Sequence, residues 1–385
     1  MKIFFISRGY PTQNEPQWGC FEKDQADALQ ALGHEIVFLC IDRRLSLKNI
    51  TEGFTYSFDD EFHVYNYRSI IPGSLIRKIS ANLYCTFYGK KLLSLFEKAI
   101  KKHGMPDMIF AHYLSNIAIS YKIKEKYDIP IIGMEHWSVI SKSTLPNDIL
   151  SLGKLAYPKV DRLLAVSESL STSIKKHFNQ NSIVVNNMVS DDFLIERSSH
   201  NMNKDDYFHF VSVGSLFPIK GFDILIDAFA KSGLSKKKCK LTIIGGGKEQ
   251  RRLQEQINRL SLEDDVILVG RKTKNEIISY LKKSNAFVLS SHSETFSVVC
   301  IEAMALGLPI VATACGGPQE FVTKEVGILV EPSDMNALAT GMNEMYESSQ
   351  KYDNDKIAYF CKNNYAPEII ARKLILNFEE VLKNQ

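Results

Sequence analysis

NAFVLSSHSETFSVVCIEAMALGLPIVAT, residues 285–313, sets the fold class. An apolar run ends in small polar residues (NAFVLSS, 285–291). A polar loop follows, then an apolar stretch from Ser297 that stops at Gly307, then a second apolar run, PIVAT (309–313). Short apolar runs bounded by glycine and proline read as buried strands, and the longer segment between them as a helix. Strand, helix and strand in that order make a parallel crossover, in a sheet covered on both faces. Two glutamates interrupt the pattern. Glu294 precedes the apolar stretch, and Glu302 lies within it, between Ile301 and Ala303. The helix is expected to be buried on most sides, and a buried carboxylate is costly unless it has partners.

The pattern extends in both directions. KIFFIS (2–7), a helical EKDQADALQALG (22–33) and HEIVFLC (34–40) begin the chain. MIFAH (108–112), SNIAISYKIKEKY (115–127), IPIIGMEH (129–136), VDRLLAVS (160–167) and SIVVNN (182–187) continue it. A polar stretch without apolar periodicity, IERSSHNMNKDDY (195–207), reads as a boundary. The alternation then restarts with HFVSVG (209–214), FDILIDAFAKSG (222–233), CKLTIIGGG (239–247), KEQRRLQEQINRL (248–260) and VILVG (266–270). The chain order predicts an α/β protein of two Rossmann-like domains, residues 1–190 and 205–366.

Composition agrees. The 385 residues are 45% hydrophobic and 24% charged, enough for two cores and unlike a disordered or fibrous chain. A net charge of +3, without zinc-finger, RNP or arginine-rich signatures, gives no sign of a nucleic-acid partner. The seven cysteines form no CxxC pair and are expected to be reduced, in a cytoplasmic protein. The opening MKIFFISRGYP has too short an apolar run for a signal peptide or membrane span, so a soluble or at most peripheral protein is expected.

Open parallel sheets bind ligands at the carboxyl ends of their strands, with anions at helix N-termini. The N–H groups of Phe296, Ser297 and Val298 therefore suit a diphosphate. Glu302 could accept from both hydroxyls of a ribose; the alternative is an ion pair or a cap for a nearby turn. Lys220 is the cation of VGSLFPIKG (213–221) and could neutralise a leaving phosphate, or be a surface lysine. IIGGGKEQRRL (243–253) lacks the G-x-G-x-x-G spacing and reads as a tight turn, with GRK (270–272) as an edge for a base. In RGYPTQNEPQWGCF (8–21), Gly19 lets the backbone approach a phosphate, and Trp18 is a core or lid aromatic. His112 and His136 end two strands, where each could bind a sugar hydroxyl or a phosphate. The Asp-x-Asp at Asp353–Asp355 lies between C-terminal helical segments, so no metal site is expected.

Together these segments resemble the retaining glycosyltransferases of the GT-B fold, family 4 or group 1. The resemblance rests on GHEI (33–36), FAHY (110–113), VGSLFPIKG (213–221), ETFSVVCIE (294–302) and GLPIVATACGGPQE (307–320), in order over nearly the whole chain. It implies two domains facing across a cleft, with the final helix (367–385) returning to the first. It makes Lys220 the cation against a nucleotide diphosphate, Glu294 the holder of the donor sugar and Glu302 that of the ribose. His112 would lie beside the sugar and acceptor, and Gly19 opposite the amides of Phe296, Ser297 and Val298. His136 and Trp18 are further candidates for sugar or acceptor contact. Many members have arginine at Ser215 and glycine at Ser297; Arg271 and Arg8 are candidates for the missing cation.

The implied reaction moves a hexosyl unit from a nucleotide sugar to an acceptor hydroxyl with retention, and needs no further cofactor. UDP-hexose is the favoured donor, because many pathways of this type use it. The segment 73–102 interleaves basic residues with leucine, isoleucine and aromatics. It reads as two helices packed on the sheet, or as a surface for anionic lipid on the inner face of the membrane. The latter suits a lipid-linked glycan acceptor in capsule or other surface-polysaccharide synthesis. The alternatives are a GT-B nucleotide-sugar epimerase and a non-catalytic nucleotide-sugar-binding subunit. An α-glucan phosphorylase is disfavoured by length and by the lack of a pyridoxal-phosphate signature.

Overall fold

The computed structural model of the protein describes residues 1–13, 15–44, 52–59, 61–195 and 206–384. They form two compact units, residues 1–187 with 367–385, and residues 188–366.

The first unit holds an eight-stranded sheet. Its strands are β1 (Lys2–Ser7), β2 (Glu35–Asp42), β3 (Gly53–Phe58), β4 (His63–Arg68), β5 (Met108–His112), β6 (Ile131–Glu135), β7 (Arg162–Ala165) and β8 (Ile183–Val184). They lie in the order β3-β4-β2-β1-β5-β6-β7-β8. Every pairing is parallel except β3 with β4. β1 is central, with Ile3 beside both Ile36 and Met108. Its unbroken apolar run suits a strand covered on both faces, and Ile3, Phe4, Phe5 and Ile6 are fully buried.

β3 is the opposite case. It is an edge strand with Phe54, Tyr56 and Phe58 exposed. Lys98 lies 4.0 Å over the Phe54 ring and Lys102 4.5 Å over that of Tyr56, so ammonium groups cover part of the edge. Both lysines come from the helix Ala81–His103, which Ser80 caps by accepting from Leu83 N–H. The helix Pro367–Lys383 packs on the helix Cys20–Ala31 and buries Ile370, Ala371, Leu374, Phe378 and Val381. Its Phe378 ring is 5.1 Å from that of Phe110 in β5.

The second unit has a six-stranded parallel sheet of β9 (Phe208–Val213), β10 (Cys239–Ile244), β11 (Val266–Leu268), β12 (Ala286–Leu289), β13 (Ile310–Thr313) and β14 (Gly327–Val330). The order is β11-β10-β9-β12-β13-β14. Its core includes Phe210, Ile226, Leu241, Val288, Val311 and Met342. The strand order switches direction between β1 and β5 in the first sheet and between β9 and β12 in the second. The carboxyl side of such a reversal opens a crevice, because the helices leaving the two strands cross to opposite faces.

β3, β4 and β14 were not among the strands read from sequence, and SIVVNN gives a strand of only two residues, Ile183–Val184. Of the expected boundary at 195–207, residues 196–205 lie outside the described residues. The second unit begins before it, at Met188. There Val189 N–H donates to Tyr365 O at 2.9 Å, and Lys274 pairs with Asp192 at 2.7 Å.

Candidate active site

In the second unit the chemistry gathers where β9 and β12 end. The loop after β9 closes in a single turn, Pro218–Lys220, and Gly221 starts the next helix at φ 61°. A β-carbon on Gly221 would stand 2.2 Å from the Ser290 carbonyl oxygen, so only glycine lets the two loops meet. They are stitched by Ser290 Oγ donating to Lys220 O at 2.9 Å and by His292 N–H donating to Ile219 O at 2.9 Å. This brings Lys220 Nζ to 2.6 Å from Glu294 Oε1, and Ser291 Oγ donates to the same oxygen at 2.7 Å. The Glu294 backbone pairs on its other side with Cys315 O and Gly317 N. Glu294 is thus fixed by backbone and side chain together, and it holds the ammonium of Lys220 in place.

The helix Val298–Ala305 begins four residues further on. The first N–H groups of a helix have no acceptor within it and carry the positive end of its dipole. Its N-cap, Ser297, has φ 80° and ψ 74°, a left-handed conformation that is strained for any residue with a β-carbon. Glycine at this position, the residue the resemblance leads one to expect, would relieve that strain. Ser297 Oγ instead turns inward and donates to Cys300 Sγ at 3.3 Å. The Phe296 ring is buried against Phe321 and Tyr365, so only its backbone can serve a ligand. The expected burial of Glu302 is corrected: the residue is half-buried, because the face of the short helix that carries it is not fully covered. Arg271 follows β11, is exposed and lies close beside Gly246.

In the first unit the ends of β1, β5 and β6 carry a second polar cluster. Trp18 packs closely against Gly9, with Arg44 at 3.9 Å and Arg8 at 4.9 Å from its ring centre. The Arg8 guanidinium also sits 3.6 Å over the ring of Tyr113 and bonds the fully buried Glu22 at 3.3 Å. Gly19 has φ 85°, and a β-carbon there would stand 2.3 Å from Gly9 O, so the close approach that requires glycine is to the chain itself.

His112 has no exposed surface. It lies against Phe5 and Phe110, and its Nδ1 is 3.2 Å from Nε2 of His136. The expected place of His112 beside sugar and acceptor has no exposed surface in this structure, and the neighbouring His136 is only slightly more open, at 6%. Burial first, then the neighbouring His136 and Arg8, push the imidazole of His112 well below its ordinary range. Burial and Arg8 push that of His136 down to about 3, with Asn187 opposing. Both rings are neutral at pH 7.

The sequence reading missed Glu135. Its buried carboxylate accepts from the N–H groups of Leu114 (2.8 Å), His136 (3.0 Å) and Trp137 (2.9 Å) and from Tyr157 OH (2.6 Å). It thereby fixes the backbone that presents His136. It is the last residue of β6, after an unbroken apolar run, which was a signal. Ser291, which orients Glu294, was also missed, and nothing in SSHS (290–293) singles it out. Among the described residues no three His, Cys, Asp or Glu side chains gather as a metal-ligand set.

These are the two Rossmann-like units of a GT-B fold, each with a polar site at its switch point. Residues 23–193 match the family model described as Glycosyltransferase Family 4, and residues 193–360 that described as Glycosyl transferases group 1. The chain is 26% identical over 362 residues to the glycosyltransferase TuaC of Bacillus subtilis strain 168, assigned to teichuronic acid biosynthesis, covering 91% of this chain and 90% of TuaC. Sucrose-phosphate synthase of Thermosynechococcus elongatus matches over all of both chains, with TM-score 0.80 and 17% identity. Anabaena HepE in complex with UDP and glucose matches 99% of this chain and 100% of its own, with TM-score 0.74 and 19% identity. The chain belongs to the family 4 and group 1 superfamily of glycosyltransferases. Its activity is sugar transfer from a nucleotide-sugar donor.

Proposed function

We propose that the protein is a retaining hexosyltransferase that uses a UDP-hexose and extends a lipid-linked glycan during synthesis of a cell-surface polysaccharide. The observation that carries this reading is the Lys220–Glu294 pair, 2.6 Å apart, with Glu294 four residues before Val298, the first residue of the helix Val298–Ala305. A cation and a helix N-terminus suit a diphosphate, and a carboxylate at the same point suits the hydroxyls of the attached sugar. In this reading Glu302, one turn into the helix, takes the ribose. The solved complexes of HepE with UDP and glucose support the choice of nucleotide, and the likeness to TuaC supports the polysaccharide acceptor.

In this mechanism the acceptor hydroxyl attacks the anomeric carbon from the face that the diphosphate leaves. The bond to the diphosphate oxygen breaks, a new carbon–oxygen bond forms on the same face, and the acceptor proton passes to the departing phosphate. Lys220 and the helix N-terminus stabilise the charge that develops there. Incubation with UDP-hexoses and a lipid-linked glycan should release UDP only when acceptor is present, with the donor's anomeric configuration kept in the product. Conversion of the donor without acceptor would mark an epimerase, and binding without turnover a non-catalytic subunit.

Peripheral contact with the inner face of the membrane is part of this reading. No helix among the described residues is long and apolar enough to cross a membrane. The helix Gly73–Ile79 and the start of the next one leave Leu75, Ile79 and Leu83 exposed, at 56%, 69% and 48%. Lys78 and Lys90 in the same segment are exposed, whereas Lys91, Lys98 and Arg77 are engaged with Glu52, Phe54 and Asp148. Exposed apolar side chains and exposed lysines in one segment suit anionic lipid. Leu75→Ser with Ile79→Ser is expected to lower co-sedimentation with phosphatidylglycerol-containing vesicles by at least about tenfold. Equal sedimentation of variant and parent would remove the membrane from the proposal.

A further inference from the structure

Two arginines approach the ring of Trp18 in the first unit, and they differ in what they hold. Arg44 is saturated. Its Nε and Nη2 donate to Asp42 at 3.0 and 2.9 Å, and its Nη1 and Nη2 donate to Glu15 at 2.7 and 2.9 Å. One carboxylate thus lies along the inner edge of the guanidinium and a second closes the fork at its end. Arg8 has only the first kind of partner. Its Nε donates to Glu22 Oε1 at 3.3 Å, and among the described residues nothing accepts from Nη1 or Nη2. Neither of these nitrogens is buried, and the side chain keeps 26% of its surface.

The open fork is nevertheless held in place. The Arg8 guanidinium lies 3.6 Å from the ring centre of Tyr113 and 4.9 Å from that of Trp18. Glu22, which fixes its inner edge, has no exposed surface and also accepts from Ser7 Oγ at 3.3 Å. Tyr113 precedes the helix Leu114–Tyr127 with φ 67° and ψ 144°, backbone that suits glycine and strains a tyrosine. That conformation sets the aromatic ring beneath the guanidinium. Arg8 itself follows β1, on the carboxyl side of the switch point. The imidazoles of His112 and His136 nearby are neutral at pH 7, so they bring no competing positive charge.

We propose that Arg8 binds an oxyanion carried by the acceptor, a carboxylate or a phosphate ester on its glycan, through Nη1 and Nη2. Two parallel N–H donors match two oxygens of one such group, as Glu15 matches Arg44; a hydroxyl offers one oxygen and leaves half of the fork unused. A guanidinium already fixed by two rings and a buried carboxylate loses little freedom on binding. The diphosphate of the donor has its own partners in the proposed complex, Lys220 and the helix Val298–Ala305 of the second unit. The inference rests on the reading of the protein as a sugar transferase and adds that its acceptor is acidic.

Three glycosides that differ only at C6 test this: octyl glucoside, octyl glucoside 6-phosphate and octyl glucuronide. Calorimetric titration of the full-length protein with each, without donor, requires no transfer. The parent should bind one of the two charged glycosides at least about tenfold more tightly than the neutral one, and the one preferred names the oxyanion as phosphate or carboxylate. Arg8→Gln should abolish that preference and leave affinity for free UDP unchanged. Arg8→Lys, which keeps a charge for Glu22 and loses the fork, should lose most of it. Equal binding of all three glycosides by the parent, no binding of any, or a preference that survives in Arg8→Gln would overturn the proposal. So would a large loss of UDP affinity in Arg8→Gln, which would assign the fork to the donor's diphosphate. An arginine that only packs against the rings and Glu22 would change Tm and leave the ratio between glycosides as it was. Should Arg8→Gln fail to fold with Glu22 unpaired, the parent's ratio and Arg8→Lys decide, and full preference in Arg8→Lys would overturn the fork. With UDP-hexose present, kcat/KM should follow the order of binding. If the parent binds a charged glycoside and transfers to none, the functional reading fails and the oxyanion site stands.

Discussion

Glu294→Gln is expected to reduce sugar transfer by roughly a hundred- to a thousandfold while free UDP binds as well as before or several-fold more tightly. Two effects separate the readouts. Glu294 holds Lys220 and, in the proposed complex, the donor sugar, so its charge supports the reacting carbon as positive charge grows there. Free UDP lacks that sugar, and removing the carboxylate leaves the Lys220 ammonium less neutralised and so a better partner for phosphate. Glu302→Gln should fail differently. It loses charge-assisted hydrogen bonds to a ribose, worth about 1.5–3 kcal/mol, and should weaken UDP and UDP-hexose alike by about ten- to a hundredfold. Calorimetric titration with UDP beside a transfer assay distinguishes the two. If Glu294→Gln abolishes UDP binding and Glu302→Gln spares it, the donor lies the other way round. If neither alters transfer, the active site is elsewhere.

Acid should destabilise the first unit through its buried histidines. The folded protein holds His136 below its ordinary range, with a pKa of about 3, by burial and by Arg8, and His112 is lowered by the same causes and by His136. Between the folded and unfolded values the unfolded chain binds the extra proton, so stability is complete above the ordinary histidine pKa and falls as pH drops toward the folded one. From pH 7 to pH 5 the loss for His136 alone is roughly 2 kcal/mol, and His112 adds to it in the same direction. For a unit of this size, that is about 4–8 °C in Tm. Glu135 acts with the opposite sign, because burial raises its carboxyl and a raised carboxyl favours the folded state as pH falls. Comparison with the parent isolates the histidine part: the double variant His112→Phe, His136→Phe should show a distinctly flatter Tm between pH 7 and pH 5. An unchanged slope would mean that the pair titrates alike in the folded and unfolded chains.

The sequence showed the sheets wherever strands are central. KIFFIS and NAFVLSS are unbroken apolar runs because a parallel strand buried on both faces has no polar side to display. β3 escaped the same reading because it is antiparallel and lies at the edge, where solvent admits Thr55 and Ser57 among aromatics. The donor-side residues were legible because their chemistry is stated by residue type, a carboxylate beside an apolar run and a single cation in a glycine-bounded loop. The roles of His112 and His136 were not separable in that way. Both end strands and both are histidine; only the packing of Phe5 and Phe110 around one of them shows which is turned inward. Glu302 misled in the reverse direction, since its apolar neighbours in sequence occupy other faces of the helix from its own.

The division of the chain also orders its synthesis. The second unit is one continuous segment, residues 188–366, whereas the first is interrupted by it and completed only by residues 367–385. A ribosome therefore delivers the whole of the second unit before the last helix of the first. Throughout that interval the surface of Phe110 and of the helix Cys20–Ala31 that Phe378 and its neighbours later cover stands open to water. The nascent first unit, begun earlier, is the later of the two to be sealed, and the unsealed face is where a chaperone would find it.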